Sequence, residues 1–489
     1  MIKKLLSTLI GCLFVATITM ACSDNTNDDP NKPEVPDTKD PQSVAKQNLE
    51  RSIQLADNTF TKYFVADGTA MARFYNPYTS SVSGEKASVW MYTSSIETVN
   101  AILAGLQAHK NKGDATLYDK HFSRYSDLLS KLYINLDYYM GTYTLTSFTQ
   151  EKSWSIYGVN RANEKGQANV SGIENVYDDQ MWLIREMIEA YRLTGKAEYL
   201  KKAEYLTSYV LDGWDTTRDE NGKENGGIPW GPGYVTKHAC SNGPIVSPLV
   251  WLHELYAEKS DEIEYRYIDA TDKKTRKSEM IKKSNYYLNY AKKIYQWQKE
   301  LLMMSEGVFF DMRGGCEPSC DVAYEYVNQV KYRKNTRLTR SEGAAYSYNT
   351  GTMISGATDL YRVTKDATYL ADAKRMGDDS FKYFAGKGKE LIGYYTYDVT
   401  GFNNWFNGVL MRSYVELYPS YINMKSYINS FQQNLDYGYE NFQYEGLLPV
   451  NLLLGWENNK NDNNIEGMFM FTFAAEYAIL SKYELENNK

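Results

Sequence analysis

Two adjacent carboxylates, Asp178 and Asp179, stand in the stretch NVYDDQMWLIREMIEAYRLTG, just before a run whose apolar residues recur at helical spacing. Carboxyl groups held around one pocket can divide labour, one protonating a leaving oxygen while the other attacks carbon or activates water. Cleavage of a glycosidic bond with retention needs such groups about 5 Å apart, which side chains of neighbouring residues can reach. The charge on one disfavours ionisation of the other, so one stays charged while its neighbour keeps a proton. Aspartates that open a helix also serve as ordinary caps, and the pair alone does not separate the two roles.

Other residues with suitable chemistry fall at junctions between loops and periodic segments. Asn242 and Gly243, in CSNGP, could bond a sugar hydroxyl or simply form a turn and cap. Tyr348 and Asn349 open a further segment, and Asp311, in GVFFDMRGG, either contacts substrate or orders its loop. Trp90, Trp230 and Trp405 offer an apolar face and an N–H, suited to sugar stacking or to core packing. The 44 tyrosines and nine tryptophans fit a carbohydrate partner, although most must be core.

Composition narrows the chemistry. The net charge of −7 argues against a nucleic-acid partner. His109, His121, His238 and His253, with Cys240, Cys316 and Cys320, form no spaced ligand set, and there is no calcium-loop or phosphate-cradling motif, so neither metal nor cofactor is expected. Cys316 and Cys320 could pair in an oxidising compartment, leaving Cys240 over, or remain two free thiols.

The elements that must position these groups are helices. Periodicity predicts twelve, over about 44–64, 90–110, 117–139, 179–194, 196–214, 247–257, 283–304, 344–364, 366–384, 404–418, 420–437 and 465–482, and no convincing run of strands. YRLTGKAEYLKKA (191–203) and YRVTKDATYLADA (361–373) agree at seven of thirteen positions, each reading as one helix end, a short turn and the next helix start. Turns within pairs are mostly short, whereas connections between pairs are long: about 65–88, 140–178, 215–246, 305–343, 385–403 and 438–464. An inner and an outer ring of alternating helices, six hairpins in all, would put every long connection on one face, the expected site. The charged insertion at about 258–282 follows an inner helix and is expected on the opposite face.

The chain opens with Lys3 and Lys4, an apolar run from Leu5 to Met20, then Ala21 and Cys22, the order of a lipoprotein signal with lipidation at Cys22. Residues 23–42 are polar and Pro-containing and read as a disordered tether, leaving 43–489 as the catalytic domain. The expected location is the cell envelope, on an outer membrane held through the lipid, facing periplasm or exterior.

Taken together, YDDQMWLIREMIEAYRLTGKAEYL, GGIPWGPGYVTKHACSNGP, YSYNTGTMISGATDLYRVT and FNGVLMRSYVEL resemble glycoside hydrolase family 76, the endo-α-1,6-mannanases, over about residues 45–482. The resemblance implies an all-α fold, an (α/α)6 barrel, and retaining cleavage of internal α-1,6-mannosidic bonds in α-mannan. It also implies Asp178 as nucleophile and Asp179 as acid/base; a monomer is expected. A non-catalytic glycan-binding outer-membrane lipoprotein and a transglycosylase of the same fold are the competing readings.

Overall fold

The computed structural model describes residues 40–487. The signal segment, Cys22 and nearly all of the expected tether lie outside the described residues. Twelve α-helices are present among them: α1 (Pro41–Tyr63), α2 (Val89–Asn111), α3 (Thr116–Leu136), α4 (Tyr177–Thr194), α5 (Ala197–Asp212), α6 (Gly243–Tyr256), α7 (Lys283–Leu302), α8 (Ser347–Thr364), α9 (Ala367–Phe384), α10 (Asn403–Leu417), α11 (Met424–Phe442) and α12 (Gly467–Asn487). None of the described helices is long and apolar enough to cross a membrane.

Burial sorts the helices into two kinds. α12 is buried on every side, from Met468, Phe469, Met470 and Phe471 through Tyr477 and Ala478. By contrast α3 buries a single stripe of Leu117, Tyr125, Leu129, Leu132 and Leu136, the pattern of a helix with one face to solvent. Contacts follow the same division. α2, α4, α6, α8, α10 and α12 each pack on the next, and α12 returns to α2, so six helices close a circuit. α3, α5, α7, α9 and α11 each pack on the inner helix that precedes them, and α1 packs on α12. Gly351 lets α8 and α10 approach closely, because a Cβ there would sit 3.0 Å from the Leu410 Cα.

The internal repeat has a local cause. Thr194 and Thr364 bond the carbonyls of Ala190 and Leu360, at 2.6 and 2.7 Å. Each helix then ends on a left-handed residue, Gly195 at φ 70° and Lys365 at φ 58°, whose N–H returns to the carbonyl of Tyr191 or Tyr361. The next helix starts two residues later in both copies.

Two expectations are corrected. Strands do occur, as short antiparallel pairs inside the long connections, such as Met140–Thr146 with Glu151–Tyr157, and Met312–Glu317 between Lys237–His238 and Arg337–Glu342. They are brief and half-exposed, so their alternation is diluted by polar residues: Thr142 and Thr144 face Ser155 and Ser153 across the first hairpin. The insertion is also a hairpin, Glu262–Ile268 with Arg276–Lys282, and it does not stay at the far face. Its base meets α7, where the Lys283 N–H donates to the Asp261 carbonyl at 2.8 Å. Seven residues of strand span about 23 Å, and the tip reaches the long connections. There Arg218 donates to the Ile268 carbonyl, and Arg276 donates to the Phe148 carbonyl and pairs with Glu325.

Cys316 and Cys320 form a disulfide, and Cys240 is free and buried.

The seam between the two ends of the chain is pinned by Arg51 of α1. Its guanidinium is 8% exposed, pairs with Asp436 at 2.6 Å and Glu440 at 3.0 Å on α11, and lies over the Tyr439 ring. Removing it strands Asp436 beside a buried face, although both carboxylates keep some solvent. Arg51→Ala is expected to lower unfolding free energy by about 2 kcal/mol, read from the urea midpoint at constant slope. An unchanged midpoint would show that packing alone closes the seam.

Candidate active site

The start of α4 is held by its backbone and its neighbours rather than by a capping side chain. The helix is entered from Val176, with no side-chain cap among the described residues. The Tyr177 N–H donates to the Trp230 carbonyl at 2.8 Å. Before it, Asn175 accepts from the Tyr209 hydroxyl at 2.7 Å and donates to the Val170 carbonyl at 2.7 Å. After it, Gln180 exchanges two hydrogen bonds with the Tyr157 backbone, tying the 140–157 hairpin to the helix. The two aspartates of the first turn open on a cavity of about 490 Å³.

Five of the six long connections bring residues to this cavity, from Ser88, Glu174, Trp230, Asp311 and Phe402. The sixth joins them indirectly, its strand Ile465–Glu466 pairing with Phe74–Asn76 of the first. One wall is Trp230, stacked on His238 with centroids 5.0 Å apart and tilted against Tyr234. His238 Nδ1 lies 3.7 Å from Asp311 Oδ2. Burial lowers the His238 pKa to about 4, so the imidazole is neutral near pH 7. Burial also raises Asp311, opposed by the amide of Asn349 behind it. The other wall is aromatic: Trp90 meets Phe402 and Trp405 edge-on, Trp405 meets Trp182 edge-on at 4.7 Å, and Tyr348 stacks on Phe406 at 4.3 Å.

The carboxylates differ in their surroundings. Burial pushes Asp178 up to about 6, against the pull of the Cys240 thiol, the Trp230 indole and the N–H groups of its own turn. Burial and then the Asp178 charge drive Asp179 well above the ordinary carboxyl range, with no donor offsetting them. At neutral pH the arrangement holds one carboxylate beside one carboxylic acid. Trp90 Nε1, on a residue that lines the cavity, is buried without a hydrogen bond to a described residue. Among the described residues no group of His, Cys, Asp and Glu could hold a metal ion.

Of the residues singled out from sequence, Asp178, Asp179, Trp90, Trp230, Asp311, Tyr348 and Trp405 line the cavity together. Asn242, Gly243 and Asn349 do not. Asn242 is fully buried, accepting from the Ile228 N–H and donating to the Ile228 and His238 carbonyls, so its amide shapes the loop. Gly243 begins α6 against Thr352 and Gln298, where a Cβ would be 2.6 Å from Thr352 Oγ1. Sequence reasoning missed Trp182, His238, Cys240, Phe402 and Phe406 as wall residues. Trp182 was accessible to it, standing four residues after Asp178 and so on the same helical face.

Comparison with known proteins places this geometry. The family described as glycosyl hydrolase family 76 matches residues 93–255 and 279–436, and the break between them coincides with the 262–282 hairpin. Among solved structures, a family 76 glycoside hydrolase (mannosidase) from Bacteroides thetaiotaomicron VPI-5482 superposes with a TM-score of 0.64 at 20% identity, covering 90% of this chain and 100% of that one. A family 76 α-mannanase from Bacteroides thetaiotaomicron gives 0.62 at 16% identity, over 92% and 100%. An inactive variant of an α-1,6-mannanase from Salegentibacter sp. HEL1_6, two consecutive aspartates replaced by asparagine, in complex with α-1,6-mannotriose, gives 0.56 at 18% identity, over 91% and 100%. These likenesses establish a shared fold. No curated protein sequence matches the chain. Since the family match runs from α2 into α11 and includes the carboxylate pair, the chain belongs to glycosyl hydrolase family 76.

Proposed function

We propose that this chain is a retaining, endo-acting hydrolase of α-1,6-mannosidic bonds, built on an (α/α)6 barrel, with Asp178 as nucleophile and Asp179 as acid and then base. The observation that carries the reading is the pair of adjacent carboxyls on the wall of an aromatic cavity, Asp178 with hydrogen-bond donors around it and Asp179 with none. The α-1,6-mannanase of similar fold that is inactive with two consecutive aspartates replaced, and is bound to mannotriose, supports the substrate and the importance of a pair. The circuit of six inner and six outer helices supports the barrel.

In this mechanism an Asp178 oxygen attacks the anomeric carbon while Asp179 gives its proton to the departing glycosidic oxygen, leaving a glycosyl ester and a free sugar end. Asp179, now a carboxylate, removes a proton from water. The water oxygen attacks the same carbon, Asp178 departs as carboxylate, and two inversions restore the starting configuration. Trp90, Trp230, Trp405 and Tyr348 supply ring faces, and Asp311 a hydroxyl partner. Asn242, Gly243 and Asn349 act behind the wall. A sugar acceptor in place of water would give transglycosylation from the same intermediate.

Asp178→Asn and Asp179→Asn should each cut kcat on linear α-1,6-mannan by roughly 10³-fold or more with unchanged circular dichroism. A substrate with a good leaving group separates the roles, restoring formation of the ester in Asp179→Asn alone. Wild-type turnover in either variant would overturn the assignment.

The pH profile of kcat/KM should be bell-shaped. Activity rises as Asp178 loses its proton near pH 6 and falls as Asp179 loses its own at higher pH. A flat profile between pH 5 and about 7 would be incompatible with these roles.

Lys3, Lys4, the apolar run and Cys22 support an exported lipoprotein held at the outer membrane. Labelled palmitate should be incorporated into the full chain and lost in Cys22→Ser. Labelling that persists in the variant would exclude this anchor.

A further inference from the structure

The cavity wall holds two carboxylates beyond the catalytic pair, Glu174 and Asp311, and no lysine or arginine among the described residues that line it. Its imidazole, His238, is neutral near pH 7 and offers no positive charge. The cations behind the wall are already engaged. Arg333 donates to the carbonyls of Pro232 and Tyr234, and Lys237 is closed on Asp215 at 2.8 Å and on the Gly226 carbonyl at 2.6 Å. The Trp90 indole N–H has no partner among the described residues and suits a neutral hydroxyl, while that of Trp230 is turned to Asp178. An anionic group on a bound sugar would share the cavity with Asp178, Glu174 and Asp311, with no lysine or arginine lining it to pair with.

We propose that this cavity selects neutral mannan and rejects chains carrying phosphate or carboxylate groups on the sugars bound there, Glu174 being the rim charge that sets the discrimination. Glu174 is half-buried, with the Asn160 amide as its neighbour at 3.4 Å. The inference rests on the mannanase reading above.

The test uses Asp179→Asn protein, in which asparagine replaces a carboxyl that is already neutral, so the charge of the cavity is kept. Calorimetric titration compares α-1,6-mannotriose, the same trisaccharide with a phosphate on its central residue, and the dimethyl ester of that phosphate, which keeps the bulk without the charge. At about 20 mM salt the ester should bind at least tenfold more tightly than the phosphate. The gap should narrow several-fold at about 500 mM salt and again in the additional Glu174→Gln background. Equal affinities, a gap insensitive to both salt and Glu174→Gln, or loss of the ester along with the phosphate would overturn the proposal. If unmodified mannotriose fails to bind as well, the mannanase reading itself fails and takes this inference with it.

Discussion

Two adjacent carboxyl groups, Asp179 buried and Asp178 half-buried, resist carrying charge together near neutral pH, and the surroundings of the α4 N-terminus follow from that constraint. Which group ionises is decided by the donors within reach. Asp178 has an indole, a thiol and the N–H groups of a helix start, whereas Asp179 has burial and its neighbour's charge. The start of α4 must nevertheless be anchored by other groups, so that both carboxyls line the cavity. Tyr177, Asn175 and Gln180 meet the requirement by bonding to Trp230, Val170, Tyr209 and Tyr157 instead.

The same physics recurs beneath the cavity floor. Trp405 donates its indole N–H to Glu97 of α2 at 3.2 Å, and Glu97 pairs with Arg412 of α10. Glu476 of α12, buried and influenced by the Glu97 charge, has its pKa raised to about 8 and so stays protonated near pH 7. Arg412 and Trp405 hold Glu97 from the other helices, and the arrangement fixes an aromatic wall rather than a reacting atom. Buried acids in the inner ring are tolerated because each is either paired or neutral.

The helices were legible in the sequence because an inner ring needs residues buried all round and an outer ring needs one apolar stripe, and both patterns survive in a linear reading. All twelve segments appear within a few residues of their expected ends, and the Thr-terminated repeat marks true helix junctions. The carboxylate pair was visible as well, since position at the end of a long connection is a property of the chain order. What escaped lies in the connections. The Thr and Ser of the 140–157 hairpin face outward and hide its alternation, and the 262–282 hairpin owes its course to Arg218 and Arg276, partners distant in sequence. Asn242 has the residue type and spacing of a sugar ligand, yet three bonds to local backbone hold it out of the cavity. His238 and Cys240 reach the wall only because a short strand turns beside Asp311, which no periodicity announces.

The circuit of inner helices is completed by α12, which touches α10 on one side and α2 on the other while covering α1 from within. Glu97, Arg412 and Glu476 therefore come from the second, tenth and last helices of the chain. The earliest residues cannot settle until the latest arrive, a separation of more than 400 residues between partners such as Ser52 and Ala474 or Tyr63 and Ile465. Without α12 the circuit of inner helices stays open, and the carboxylate pair at its opposite side stands in a ring that is not closed.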